Sequence, residues 1–186
     1  NNKIKKILMI NNGFNERKNI KKALIAFTYL IKKKLPYKLY LYGSGMAKNE
    51  ACYNWAIKEK IDLRNIYFMG YIDNSKLGNI FKKSDIFLST SLEETFGLTY
   101  SEAMAAGLPV IAGNKSGASK EVIKNCGILT DVSSVKSIYK SITKYNNKKI
   151  YNKKRIMGIK RANKNFNLNI IIKKYIDHIK YIYDHK

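Results

Sequence analysis

The chain alternates short apolar runs with longer amphipathic ones. Ile7-Leu8-Met9-Ile10 is flanked by lysines and asparagines, the pattern of a strand buried on both faces. From Asn19 to Lys33 the period changes: Ile20, Ala23, Leu24, Phe27, Leu30 and Ile31 fall on one face of a helix, which Pro36 stops. The same alternation predicts strands at Leu39 to Tyr42 and Ile66 to Phe68, with a helix over Glu50 to Lys60 between them. It continues with a short helix over Ser75 to Lys83 and a strand at Ile86 to Leu88. A helix from Leu98 to Ala106, closed by Gly107, precedes a strand at Val110-Ile111 after Pro109. A turn or two of helix over Ala118 to Ile123 leads to a last strand at Gly127 to Leu129. There the strands stop, and residues 134 to 145, 150 to 165 and 169 to 183 space Ile, Tyr, Leu and Met as helices with Lys on the opposite side.

Strand and helix in alternation imply βαβ units with right-handed crossovers. The expected fold class is therefore α/β: a Rossmann-like parallel sheet with helices on both faces. It reads as a single domain over residues 1–186, with an α/β core over 1–130 and a helical carboxyl-terminal tail over 131–186. In such sheets ligands bind beyond the carboxyl ends of the strands. Chemistry is thus sought in 11–18, 43–48, 70–74, 89–97 and 112–118.

Composition narrows the classes. With 186 residues, 45% of them hydrophobic, the chain can bury a real core and is not a disordered polybasic tail. No apolar run approaches the roughly 20 residues of a membrane-spanning helix, and the run after the basic start is too short for a signal peptide. The chain reads as cytoplasmic, or as a piece of something longer. Its net charge of +23 invites nucleic acid or an anionic membrane surface. Yet the charge divides into +10 over residues 1–50, +1 over 51–130 and +12 over 131–186. The bases are nearly all Lys, interleaved with Asn, Ile and Tyr, as on solvated faces, and no nucleic-acid-binding signature is present. Cys52 and Cys126 sit in apolar settings without metal or redox spacing and read as packing thiols. Trp55 reads as core, and His178 and His185 as surface residues.

The stretch from Ser84 to Ile111 is the most informative. It reads as a strand, an acidic loop, a glycine turn and a helix. Glu94 lies in the loop and Glu102 on the helix, so the turn at Gly97 can bring both carboxylates to one crevice. The backbone N–H groups of Gly97 and Leu98, at the start of that helix, would face the same crevice and suit a phosphate. Carboxylates beside phosphate need neutral donors, and sugar hydroxyls supply them; a carboxylate bridging a vicinal diol holds ribose. Asp85 reads as structural and Glu93 as solvated.

Glu94 and Glu102, separated by seven residues within S-x-x-E-x-F-G-L-x-x-x-E-A-M-A-x-G-x-P-V-I-A, resemble the E-x(7)-E motif of family 4 retaining nucleotide-sugar glycosyltransferases of the GT-B fold. Resemblance extends to Asn12-Gly13-Phe14-Asn15-Glu16-Arg17-Lys18-Asn19, the loop after the first strand. It also takes in Tyr42-Gly43-Ser44-Gly45, Phe68-Met69-Gly70-Tyr71 and Ser84-Asp85-Ile86-Phe87. It covers most of residues 7–130. By this resemblance Glu102 holds the ribose diol, Glu94 contacts donor-sugar hydroxyls, and Lys18 neutralises the diphosphate. The amides of Gly97 and Leu98, beside Phe96, hold the distal phosphate or the sugar's edge. Backbone near Gly70, Tyr71 and Ile72 borders the base, and Asn12, Gly13, Gly43 and Gly45 line the donor site. The implied donor is a UDP- or GDP-linked sugar as substrate, with no cofactor and no metal.

Two departures from the family pattern matter. Many members carry an Arg where this chain has Asn12, and Arg17 is the candidate to compensate. The chain also begins where the second of two GT-B domains should begin. It is therefore expected to be a donor-binding domain whose amino-terminal acceptor domain is missing, binding nucleotide sugar but transferring poorly alone. A same-fold nucleotide-sugar epimerase or sugar phosphorylase, and a basic nucleic-acid-binding module, are the alternatives. The basic tail adds the expectation of peripheral contact with an anionic membrane surface at the inner face of the cell membrane.

Overall fold

The computed structural model describes residues 5–184, so His185 lies outside the described residues. Six strands, β1 (Lys5–Ile10), β2 (Tyr37–Tyr42), β3 (Ile66–Gly70), β4 (Ile86–Leu88), β5 (Val110–Gly113) and β6 (Ile128–Thr130), form one sheet in the order β3-β2-β1-β4-β5-β6. Every pairing between neighbours is parallel. The chain builds outward from β1 through β3, then returns to lay β4 on the other side of β1. That reversal opens a crevice between the loops after β1 and β4.

The helices are α1 (Ile20–Lys32), α2 (Ala51–Lys58), α3 (Asn74–Lys82), α4 (Leu98–Ala105), α5 (Gly117–Ile123), α6 (Val135–Lys144), α7 (Lys148–Asn165) and α8 (Leu168–Asp184). They cover both faces of the sheet, and two cores result. One joins Ile7, Met9, Leu39 and Leu41 to α1 and to Ile138, Ile142 and Tyr145. The other joins Leu8, Phe87, Val110 and Ala112 to Tyr100, Met104 and Ala162. Successive residues of β1 thus feed opposite cores, as the period-two geometry of a strand requires.

Two of the three carboxyl-terminal helices, α6 and α7, join these cores. α6 closes the first core against α1, its Ile138 and Ile142 fully buried, and Tyr145 just beyond its end donates its hydroxyl to the Val110 carbonyl at 3.0 Å. α7 lies on α4, where a side chain at Gly158 would come within 3.2 Å of Met104. α8 meets α7 and exposes Ile172, Tyr175, Ile176 and Ile179. β1 and β2 each begin two residues earlier than the apolar runs suggested, because a parallel ladder pairs Lys5 with Tyr37 and Lys6 with Lys38 through backbone alone. Asp85 ties the start of this region: its carboxylate accepts from the Lys6 N–H at 2.8 Å, and its own N–H donates to the Lys6 carbonyl at 2.9 Å. Cys52 and Cys126 are buried and unpaired, and burial pushes the Cys52 thiol up to about 12. Trp55 packs beside Phe14 against the first core.

Candidate functional site

The loop after β1 carries Asn11 to Asn19. Within it Glu16–Lys18 form a single 3-10 turn, capped by the Asn15 side chain, which accepts from the Lys18 N–H at 3.1 Å. Two bonds from the loop after β4 hold this turn in place. The Leu92 N–H donates to the Arg17 carbonyl at 2.8 Å, and the Thr90 hydroxyl donates to the Lys18 carbonyl at 3.1 Å. The turn sends adjacent cations in different directions. Lys18 reaches into the crevice, where its Nζ lies 3.3 Å from Glu94 Oε2, while Arg17 is exposed and lines none of the crevice. Arg17 therefore meets the loop after β4 through its backbone rather than through its charge.

α4 starts at Gly97, which is left-handed at φ 66° and offers no side-chain cap. A Cβ there would fall 2.6 Å from the ring of Tyr100, so glycine is required twice over. Among the described residues the Leu98 and Thr99 N–H groups have no acceptor, and no acidic residue occupies the first turn of α4. These free donors, with the positive end of the helix dipole, open onto the crevice. Beneath them Tyr100 is fully buried, sharing a hydrogen bond with Ser89 at 3.2 Å and accepting from Ser119 at 3.4 Å. Burial foremost raises its phenol above the ordinary value.

Three clefts run together at this end of the sheet. One of about 240 Å³ is lined by Asn12, Lys18, Ser89, Ser91, Glu94, Phe96, Gly97, Leu98 and Thr99. It shares Ile10, Leu98 and Thr99 with a larger cleft of about 700 Å³, which contains Glu102 and is walled by Leu77, Phe81 and Ala106. A third, of about 200 Å³, is bordered by Asn11, Asn12, Gly43, Ser44, Tyr71 and Ile72. Glu102 presents its carboxylate to solvent, yet the apolar wall around it raises its pKa by desolvation above the usual 4.5.

Of the residues singled out from the sequence, Lys18, Glu94, Glu102, Phe96, Gly97, Leu98, Asn12, Gly43, Tyr71 and Ile72 line this composite crevice. Gly13, Gly45 and Gly70 instead shape its floor. The Gly13 N–H donates to the Ser44 carbonyl at 3.1 Å, Gly45 stands against the Phe14 backbone, and the Gly70 carbonyl accepts from the Gly43 N–H at 2.7 Å. Gly43 has a stricter reason to be glycine, since a Cβ there would overlap the Asn11 carbonyl at 1.7 Å. Ser89, Ser91, Thr99, Asn11 and Leu77 were not singled out. They reach the crevice because the loops after β1 and β4 converge there with the amino-terminal halves of α3 and α4. Asn11 is 4% exposed, and its Nδ2 has no hydrogen-bond partner. Among the described residues there is no cluster of three metal-ligating side chains, and no helix is long and apolar enough to cross a membrane.

A family model described as glycosyl transferases group 1 matches residues 1–165. The chain is 38% identical over 98 residues to the alpha-monoglucosyldiacylglycerol synthase of Streptococcus pneumoniae, covering 51% of this chain and 21% of that protein. It is 30% identical over 145 residues to a UDP-Gal:alpha-D-GlcNAc-diphosphoundecaprenol alpha-1,3-galactosyltransferase of Escherichia coli, covering 77% of this chain and 35% of that one. The chain thus spans well under half the length of these curated relatives. Its fold matches the solved carboxyl-terminal domain of a group 1 glycosyl transferase, LpcC of Francisella tularensis, at a TM-score of 0.73 and 22% identity, covering 87% of this chain and 86% of that domain.

Proposed function

Since the chain belongs to the glycosyl transferases of group 1, we propose that it is the donor-binding domain of a retaining, metal-independent enzyme that moves a hexose from a UDP- or GDP-linked sugar to a glycan or glycolipid. The observation that carries this is the convergence of Lys18, Glu94 and the free amides of Leu98 and Thr99 on one cleft, which runs into the cleft of Glu102.

Each group has a role that its chemistry suits. Glu102 accepts both hydroxyls of the ribose diol, which exchanges its partly desolvated state for two charge-assisted hydrogen bonds. Glu94 accepts from hydroxyls of the sugar. Lys18 and the amino-terminal end of α4 face the diphosphate, and they hold it more strongly as it leaves because its negative charge grows in the transition state. Tyr71 and Ile72, with Gly43 and Ser44, border the base. The chain covers well under half of its curated relatives, so we assign the acceptor side to the remainder of such an enzyme, and binding without efficient transfer is the expected behaviour of the chain alone. α7 carries eight Lys and Arg and no acid, which supports contact with anionic lipid at the inner face of a membrane. Co-sedimentation that ignores the anionic lipid content of vesicles would reject that contact.

Isothermal titration with UDP, GDP, UDP-glucose and GDP-mannose tests the donor reading. One nucleotide family should bind, and Glu102→Ala should weaken it by about 1.5–3 kcal/mol, as for a hydrogen-bonded charge. Absence of binding at millimolar ligand, or equal binding by Glu102→Ala, counts against it.

A further inference from the structure

The cleft beside α4 contains two charged side chains, Lys18 and Glu94, and they face each other; Asn12, Ser89, Ser91, Thr99 and backbone supply its other polar groups. The pair is well sheltered, its side chains 14% and 25% exposed. Its two halves are also held together, because the bonds from Leu92 and Thr90 lock the turn bearing Lys18 to the loop bearing Glu94. Without ligand each charge satisfies the other.

On the donor reading above, on which this inference rests, an intact sugar nucleotide satisfies both charges at once. The diphosphate takes Lys18, and the sugar hydroxyls donate to Glu94. A nucleoside diphosphate that has lost its sugar can satisfy Lys18 alone. Glu94 is then a sheltered carboxylate beside phosphate, where no second cation lines the cleft to compensate it, and its recourse is to draw Lys18 back. The two ligands therefore meet different electrostatic demands at the same atoms.

We propose that the Lys18–Glu94 pair is a specificity determinant: it makes the crevice favour the intact sugar nucleotide over the nucleoside diphosphate that remains after transfer. Re-formation of the pair loosens the spent nucleotide once the sugar has gone. Glu94 thereby selects against product as well as for sugar, a role that contact with hydroxyls alone would not give it.

The test is calorimetric titration of UDP, GDP, UDP-glucose and GDP-mannose into the wild-type chain, Glu94→Gln, Lys18→Met and the double variant, with thermal melts confirming that each folds. Glu94→Gln keeps the side chain's size and removes its charge. It should bind the nucleoside diphosphate about 3- to 10-fold tighter than wild type does, the range of an ion pair that solvent still reaches, and lose most of the preference for the sugar-bearing form. In the Lys18→Met background the same change should leave nucleoside diphosphate affinity within about two-fold. Unchanged or weaker nucleoside diphosphate binding by Glu94→Gln overturns the proposal. Equal tightening in the Lys18→Met background overturns it too, because repulsion between Glu94 and phosphate would then act without the pair. If none of the four ligands binds the wild-type chain, the donor reading itself fails and this inference with it.

Discussion

Gly97→Ala perturbs the floor of the crevice through two measurable strains. The residue sits at φ 66°, where an L side chain costs about 1 kcal/mol relative to glycine. Its Cβ would then stand 2.6 Å from Cδ2 and 3.1 Å from Cε2 of Tyr100. That ring cannot yield freely: it is fully buried, packs edge-on to Phe87 at 6.3 Å, and is pinned at its hydroxyl between Ser89 and Ser119. Overpacking against such a ring costs a further ~1–3 kcal/mol. The sum, about 2–4 kcal/mol, lowers the melting temperature by roughly 5–15 °C for a domain of this size. Thermal unfolding followed by circular dichroism measures it. Gly78→Ala is the control: it is mid-helix in α3 with open space around it, and it should stabilise by about 0.5–1 kcal/mol. A Gly97→Ala protein melting within about 2 °C of wild type would refute the claim that Tyr100 fixes this turn.

Gly43→Ala is predicted to prevent soluble folding, since its Cβ would penetrate the Asn11 carbonyl at 1.7 Å; a well-folded variant on size exclusion and circular dichroism would contradict that packing. Glu102→Gln should trade binding for stability. Desolvation raises the folded carboxyl above 4.5, so the proton is held more tightly in the folded chain than in the unfolded one. The stability this proton confers is complete below 4.5 and is lost as pH rises through the folded value. Glu102→Gln should therefore melt higher than wild type at neutral pH, by under about 1 kcal/mol because solvent reaches the group, and the gap should close near pH 4; a gap independent of pH would contradict the cause.

The sheet was legible because its strands are buried on both faces and so appear as uninterrupted apolar runs, as Ile7 to Ile10 and Ile86 to Leu88 do. The ends of β1 and β2 were not, because Lys5, Lys6 and Lys38 join the ladder by backbone and leave no side-chain signal. The helices after residue 130 were readable as helices, but not as core. Ile138 and Ala162 look like any apolar face in a lysine-rich stretch, and only the packed fold shows that α6 and α7 close opposite faces of the sheet. At the site, Glu94, Gly97 and Glu102 stand within one continuous stretch whose strand, turn and helix can be followed residue by residue. The different placements of Lys18, inside the crevice, and Arg17, outside it, could not be read, because they depend on a polar 3-10 turn held by the distant Thr90 and Leu92. Ser89, Ser91 and Asn11 likewise gain meaning only from the reversal of strand order that sets β4 beside β1.

Amide chemical shifts recorded while the chain is titrated with a nucleoside diphosphate and its sugar conjugate locate the donor site residue by residue. The donor reading predicts that the N–H signals of Gly97, Leu98 and Thr99 move first and furthest, followed by those of Lys18 and of Tyr71 and Ile72. Shifts that leave those residues still and gather instead around the groove of about 450 Å³ between α1 and α6, at Tyr29 and Tyr139, would contradict it.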